Sequence, residues 1–176
     1  YCLAMDKARQ YGLGAVAVRN STHFGIAGYY SRMAAGEGMI GLALTNARPV
    51  IPPTFGTEPM LGTNPIAFAA PSDNAYPFSF DAATSTVSRG KIEVLARAEK
   101  PAPEGWVVDT TGAPLTNAQE ILRCLEDGSA MLLPLGGAGE ITGGYKGYGL
   151  ATMVEILCAA LCGGAIMKDL LGKAPD

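Results

Sequence analysis

The chain has one histidine and one tryptophan among 176 residues, and only 16% of its residues are charged. A single histidine cannot complete a Cys/His zinc cluster, and none of the four cysteines forms a CxxC pair. We therefore expect reduced cysteines and no metal site. The formal net charge of -3 offers no basic surface, so we also expect no nucleic-acid partner.

Long uninterrupted apolar runs are also missing, although 48% of the residues are hydrophobic. The best candidate, YGLATMVEILCAALCGGAIM, carries Glu155 in its middle and glycines near its end, which predicts a buried helix rather than a membrane span. The N-terminal YCLAMDKARQYG has charges where a signal peptide needs an apolar core. These features predict a cytoplasmic protein without membrane association. Because the chain opens on Tyr1 inside a helical pattern, we interpret it as one domain, residues 1–176, of a longer protein.

Apolar runs alternate with turn signals along the chain and predict interleaved strands and helices, hence an α/β fold. The predicted strands cover residues 15–19, 39–46, 64–71, 76–83 and 106–109. The predicted helices cover residues 1–10, 24–36, 84–100, 118–127 and 148–162. In the second helix, bulky residues recur at helical spacing, and we expect them to form its buried side: Ile26, Tyr29, Tyr30 and Met33.

The glycine-rich stretch PLGGAGEITGGYKGYG, residues 134–149, lacks both common nucleotide-binding fingerprints. In the P-loop pattern Lys146 comes one residue late and Gly147 replaces the hydroxyl residue, while Thr142 stands where GxGxxG needs its third glycine. Lys146 nevertheless lies just before a predicted helix, whose N-terminus favours anions. It is therefore either a ligand for a phosphate or carboxylate, or an ordinary solvated lysine.

Two further residues have a functional and a structural interpretation. Asp81 ends a predicted strand just before the helix predicted at 84–100, where it can contact a ligand or cap that helix. His23 lies in a polar turn, where an imidazole can act as a general acid or base near neutral pH or serve only in structure. No GxSxG nucleophile motif accompanies His23, so acyl transfer is unsupported.

Four motifs in order resemble the malate/L-lactate dehydrogenase family of the non-Rossmann type, from about Tyr11 to Leu161. They are RNSTHFGIAGYYSRMA, LGTNPIAFAAP, FDAATSTVSRGKIEVLARAEKPAPEGWVVDTTGAP and LLPLGGAGEITGGYKGYGLATMVEIL. The resemblance implies a mixed, largely antiparallel sheet covered by helices, and homodimeric assembly. It also implies an NAD- or NADP-dependent oxidoreductase that moves a hydride between nicotinamide and C2 of a small 2-hydroxy or 2-oxo acid.

The resemblance also assigns roles to individual residues. In ureidoglycolate dehydrogenase-like members the proton acceptor falls on His23, and the cofactor contacts fall on Asn46, Ala47, Asp81, Ala82, Ala83 and Lys146. Family members carry further N- and C-terminal segments, including a second histidine that serves as proton donor in some reductases. The chain is thus expected to be the central cofactor-binding domain, and a nucleotide-binding fragment without turnover is the alternative. Arg48 directly follows Asn46 and Ala47, where an arginine can bind the 2′-phosphate of NADP. The sequence does not fix the direction of its side chain, so NAD and NADP both stay open.

Overall fold

The computed structural model describes residues 1–172. The five α-helices of this part are α1 (Cys2–Tyr11), α2 (Ala27–Ala35), α3 (Arg89–Arg97), α4 (Ala118–Asp127) and α5 (Gly144–Glu155). The five strands are β1 (Gly41–Leu44), β2 (Ile66–Ala70), β3 (Phe78–Ala82), β4 (Val107–Asp109) and β5 (Ala130–Leu132). A π-helical turn, Ile156–Ala160, continues α5, and a 3-10 helix covers Met167–Leu171. None of the helices up to residue 172 has the length and apolar character needed to cross a membrane.

Helix α2 packs on one face of an antiparallel sheet with the strand order β1-β2-β3. The face under α2 consists of small residues, and a Cβ added at Gly41 would clash with the backbone of Ser31 in the helix. The buried positions of α2 are accordingly small as well: Ala27, Gly28, Ser31, Ala34 and Ala35. The expectation that bulky residues form the buried side of α2 is therefore wrong for Ile26, which is 68% exposed, and Tyr29, which is 56% exposed.

The larger apolar core lies between α3, α4 and the antiparallel pair β4-β5. Its fully buried large side chains include Ile51, Leu61, Ile92, Val107, Ile121 and Leu132. Helix α4 begins where Asn117 Oδ1 accepts hydrogen bonds from the backbone of Gln119 and Glu120. It ends at Gly128, whose φ of 79° is left-handed. These two end signals explain why the predicted range 118–127 is confirmed.

The predicted α/β class with antiparallel pairing is confirmed, but three predicted elements need correction and one strand was missed. Residues 15–19 form no strand, because no neighbouring strand pairs with them, and Val16 and Val18 are exposed. Helix α3 begins at 89 rather than 84, because Ser88 is its N-cap. Helix α5 begins at 144 rather than 148, and β5 was not predicted.

Candidate functional site

Asn64 connects the end of β1 to helix α5. Its side chain is fully buried, and Oδ1 accepts a hydrogen bond of 3.0 Å from Ala47 N. Nδ2 donates to Ala151 O and to Glu155 Oε2, both at 2.9 Å. A Cβ at Gly62 would clash with the Ala47 backbone, so the segment before β2 and the segment after β1 touch directly. The predicted contact residue Ala47 is thereby fixed against α5.

Glu155 ends α5 with a carboxylate that is only 1% exposed. Oε1 accepts hydrogen bonds from Asn46 Nδ2 at 3.2 Å and Met167 N at 2.8 Å, and Oε2 accepts the bond from Asn64. The ion pairs found within residues 1–172 do not include Glu155. Since an unsatisfied buried carboxylate is costly, these three N–H groups are what stabilises it.

Cys158 follows Glu155 in the π-helical turn, and its side chain is half-buried. Burial raises the pKa of the Cys158 thiol to about 11, and the charges of Cys162 and Glu155 act in the same direction. The thiol is therefore protonated near neutral pH and is a poor nucleophile.

The segment after β3 is held between two loops. Asp81 lies in β3, Ala82 ends it, and Ala83 leads to the buried Thr84. Thr84 N donates to Thr63 O at 2.9 Å, and Thr84 O accepts from Leu135 N at 2.8 Å. The predicted contacts 81–83 are thus connected to the loop that carries Asn64 and to the glycine-rich loop before α5.

Asp81 caps a helix, although not the one predicted. Its Oδ2 accepts a hydrogen bond of 2.7 Å from Gly28 N in the first turn of α2. A Cβ at Gly28 would lie 2.9 Å from that oxygen, so glycine permits the approach. The expectation that Asp81 caps the helix after residue 84 is wrong, because Ser88 takes that position.

Lys146 lies in the first turn of α5, and not before the helix as predicted. Residues 134–143 approach α5 so closely that a Cβ at Gly144 would clash with Gly137 O. The Lys146 side chain is exposed, and its Nζ lies 5.8 Å from the centroid of the Tyr145 ring. In the part of the chain that the structure describes, Lys146 makes no ion pair.

An open cleft adjoins this helix start and is lined by Thr54, Phe55, Glu140 and Tyr145. The Phe55 ring is 78% exposed and lies beside Gly139, where a Cβ would be 3.5 Å from its Cε1 atom. The buried Thr54 Oγ1 finds no hydrogen-bond partner among residues 1–172. The exposed Tyr145 ring, which lies beside Lys146, thus lines the same cleft as the exposed Phe55 ring.

His23 lies in an exposed loop that leads into α2. Its Nδ1 accepts a hydrogen bond of 3.1 Å from Gly25 N, so the neutral ring carries its proton on Nε2. No hydrogen bond within residues 1–172 joins His23 to Asn46, Asp81 or Lys146. The loop of His23 is joined to the other predicted residues only indirectly. It leads into α2, and Asp81 accepts a hydrogen bond from the first turn of that helix.

The structure brings together the segments of Asn46, Ala47, Asp81, Ala82, Ala83 and the helix of Lys146. Three residues that make these connections were not predicted: Asn64, Thr84 and Glu155. One signal for Glu155 was present, since an acidic residue inside an apolar helix needs buried partners. The motif LGTNPIAFAAP contains Asn64, but it gave no comparable signal for the hydrogen-bond partners of that residue.

Comparison with known proteins gives matches along the whole chain. The family model described as malate/L-lactate dehydrogenase matches residues 1–176. A malate dehydrogenase of Pyrococcus abyssi is 52% identical over 168 residues, which cover 96% of this chain and 45% of that protein. An L-sulfolactate dehydrogenase of Methanothermobacter thermautotrophicus is 43% identical over 172 residues, which cover 98% of this chain and 46% of that protein.

The fold agrees with a solved structure from the same group. The crystal structure of malate dehydrogenase from Entamoeba histolytica matches with a TM-score of 0.93 at 46% sequence identity, over 96% of this chain and 46% of that one. The chain thus spans about half the length of the relatives it matches. The resemblance carried by the four motifs is confirmed: the chain belongs to the malate/L-lactate dehydrogenase family.

Proposed function

We propose that residues 1–176 form the cofactor-binding domain of an oxidoreductase that uses NAD or NADP. Its reaction moves a hydride between nicotinamide and C2 of a small 2-hydroxy or 2-oxo acid. The names of the relatives, malate and sulfolactate dehydrogenases, support this substrate class. The observation that carries the proposal is the network through Asn64 and Thr84, because it joins the segments with predicted cofactor contacts.

The residues fit an anionic cofactor with flat rings. Lys146 is an exposed cation in the first turn of a helix, where backbone N–H groups also favour a phosphate. Tyr145 offers an exposed aromatic ring beside it, and the exposed Phe55 ring lines the same cleft as Tyr145. Asp81 uses Oδ2 on Gly28, which leaves Oδ1 to accept a hydrogen bond from a hydroxyl or amide.

A bound nicotinamide supplies the position that gives or accepts the hydride, and a protein group must exchange the accompanying proton. We assign this proton exchange to His23. With Nδ1 bonded to Gly25 N, the neutral ring can donate an Nε2 hydrogen bond to a substrate oxygen. To accept the hydroxyl proton at Nε2, the ring must carry its own proton on Nδ1, and the bond from Gly25 must then break.

The proposed enzyme is a cytoplasmic homodimer. The support for self-association is an apolar sheet face opposite α2, on which Leu42, Phe78 and Phe80 are between 47% and 58% exposed. Exposed apolar patches commonly mark protein–protein interfaces. Light scattering on the full-length protein tests this part, and a monomeric mass would contradict it.

Titration of the full-length protein with NADH and NADPH, monitored by nicotinamide fluorescence, tests the binding part of the proposal. Assays with malate, sulfolactate and lactate then test turnover. Binding without turnover would favour the alternative, in which residues 1–176 are a nucleotide-binding fragment without turnover, and the engaged Nδ1 of His23 is the observation that supports it. Absence of binding of either cofactor would overturn the proposed function.

A further inference from the structure

Glu155 is the one fully buried carboxylate of the described residues, and one of its partners is the predicted cofactor contact Asn46. We propose that Glu155 is a positioning residue, which holds Asn46 and Ala47 in the arrangement that binds the cofactor. The inference rests on the proposed function and goes beyond it, because Glu155 is buried and acts through other residues. It is not a catalytic residue.

Both oxygens of residue 155 must be hydrogen-bond acceptors. Asn64 presents Nδ2 to Glu155 Oε2, and its amide cannot turn over without losing its bonds to Ala47 N and Ala151 O. Met167 presents a backbone N–H to Oε1, which cannot be reversed either. A glutamine at 155 would place an NH2 group against one of these donors. The site therefore requires a carboxylate and not merely a polar side chain.

The carboxylate fixes the orientation of the Asn46 amide. Asn46 Nδ2 has two hydrogens, and these are used by Glu155 Oε1 at 3.2 Å and Ala165 O at 3.1 Å. The amide is then oriented with Oδ1 directed away from those two acceptors, and Oδ1 accepts no hydrogen bond from residues 1–172. A group with an N–H or O–H, such as the carboxamide or a ribose hydroxyl of the cofactor, matches this acceptor.

Ala47 is held by the same network from a second direction. Its backbone N–H is bonded to Asn64 Oδ1, and the Nδ2 group of the same amide donates to Glu155 Oε2. Loss of the carboxylate would therefore disturb Asn46 directly and Ala47 through Asn64. Both residues stand among the predicted cofactor contacts, while Lys146 lies in the other end of the same helix.

The test compares Glu155→Gln, Asn46→Ala and the double variant in the full-length protein, with the exposed Glu104→Gln as the matched control. We expect each single variant to weaken NADH or NADPH binding about tenfold, the scale of one lost charge-assisted hydrogen bond. The double variant should lose less than the sum of the two single variants, because Glu155 acts in large part through Asn46. The cofactor KM should rise, while kcat at saturating cofactor stays within a few-fold of the wild type.

Unchanged affinity in Glu155→Gln, or losses that add in the double variant, would overturn the inference and leave the proposed function intact. Failure of the wild type to bind either cofactor would overturn both. If Glu155→Gln does not fold, NMR on the wild type decides. The hydrogens of the Asn46 side-chain amide should exchange with solvent more slowly than those of the exposed Asn74. The chemical shifts of the Asn46 amide should also change on addition of NADH. Exchange as fast as in Asn74, or no shift, would overturn the inference.

Discussion

The imidazole of His23 can hold only one proton while Nδ1 accepts the hydrogen bond from Gly25 N. We expect His23→Ala in the full-length protein to lower kcat by about a hundredfold, the usual contribution of a positioned general acid or base. Cofactor affinity should change little, since the side chain makes no hydrogen bond to the predicted cofactor contacts. Steady-state kinetics and a cofactor titration check both parts. A kcat within a few-fold of the wild type would leave His23 a structural role only.

Asp81 combines a measurable structural role with a predicted cofactor contact. Loss of its bond to Gly28 N in Asp81→Ala should lower the free energy of unfolding by about 1 kcal/mol, as for other helix caps. Asp81→Asn keeps an acceptor oxygen and should recover most of that loss. We expect weaker cofactor binding in the alanine variant, measured by fluorescence titration beside denaturant unfolding. Lower stability with unchanged affinity would reduce Asp81 to its capping role.

The raised pKa of Cys158 predicts slow alkylation. Burial is the main cause, and it favours the neutral thiol over the thiolate up to a pH of about 11. Iodoacetamide should therefore modify Cys158 more slowly than the exposed Cys2 at pH 8, and its rate should rise as the pH approaches 11. Mass spectrometry of digests, with Cys158→Ser as the control, measures both rates. Equal rates at pH 8 would contradict the prediction.

Single residues with chemical character were predictable, while their partners were not. His23, Asp81 and Lys146 were identified from residue type and motif, which are local properties. Glu155 bonds to residues 91 and 109 positions away, and such pairings depend on the fold rather than on a motif. For the same reason the predicted cap Asp81 was assigned to the wrong helix: its partner Gly28 lies 53 positions earlier.

Helix α5 offers a matched pair of glycines for an experiment on the glycine-rich loop. A Cβ at Gly147 would clash with the Leu135 backbone, so Gly147→Ala should destabilise the fold by about 1–3 kcal/mol, as overpacking does. Gly149 has open space around it, so Gly149→Ala should stabilise by about 0.5–1 kcal/mol through helix propensity. Denaturant unfolding of both variants measures the difference. Equal effects would mean that the loop does not pack on α5 as described.

Elements with their own end signals were predicted well, and elements that depend on a neighbour were not. Helix α4 has Asn117 at its start and Gly128 at its end, and both are visible in the sequence. The apolar run 15–19 has the composition of a strand, yet a strand also needs a partner to take its backbone hydrogen bonds. The buried side of α2 was wrong for a related reason, because the sheet beneath it offers space only for small side chains.

At the scale of the whole molecule, charge opposes the proposed ligand. The chain has a net charge of -3, and a nicotinamide dinucleotide is itself anionic, so the overall field repels it. Local attraction is expected from Lys146 and the helix start, where an exposed cation and backbone N–H groups favour an anion. Cofactor binding should therefore depend on very few charges, and salt should weaken it moderately rather than steeply.

Replacement of Lys146 tests this balance between the local and the overall charge. We expect Lys146→Ala to weaken NADH or NADPH binding by roughly 1–3 kcal/mol, the range for a hydrogen bond to a charged group. Because Lys146 is exposed, its contribution should shrink as salt rises, so the wild type and the variant should approach each other in affinity.

Lys146→Arg should bind the cofactor more tightly than Lys146→Ala but less tightly than the wild type, since a guanidinium is larger and planar beside tightly packed glycines. Calorimetry at two salt concentrations measures these differences, with the exposed Lys7→Ala in α1 as the control. Equal affinities of the wild type and Lys146→Ala at low salt would mean that the lysine is only solvated, and that the glycines around it serve the packing of the loop.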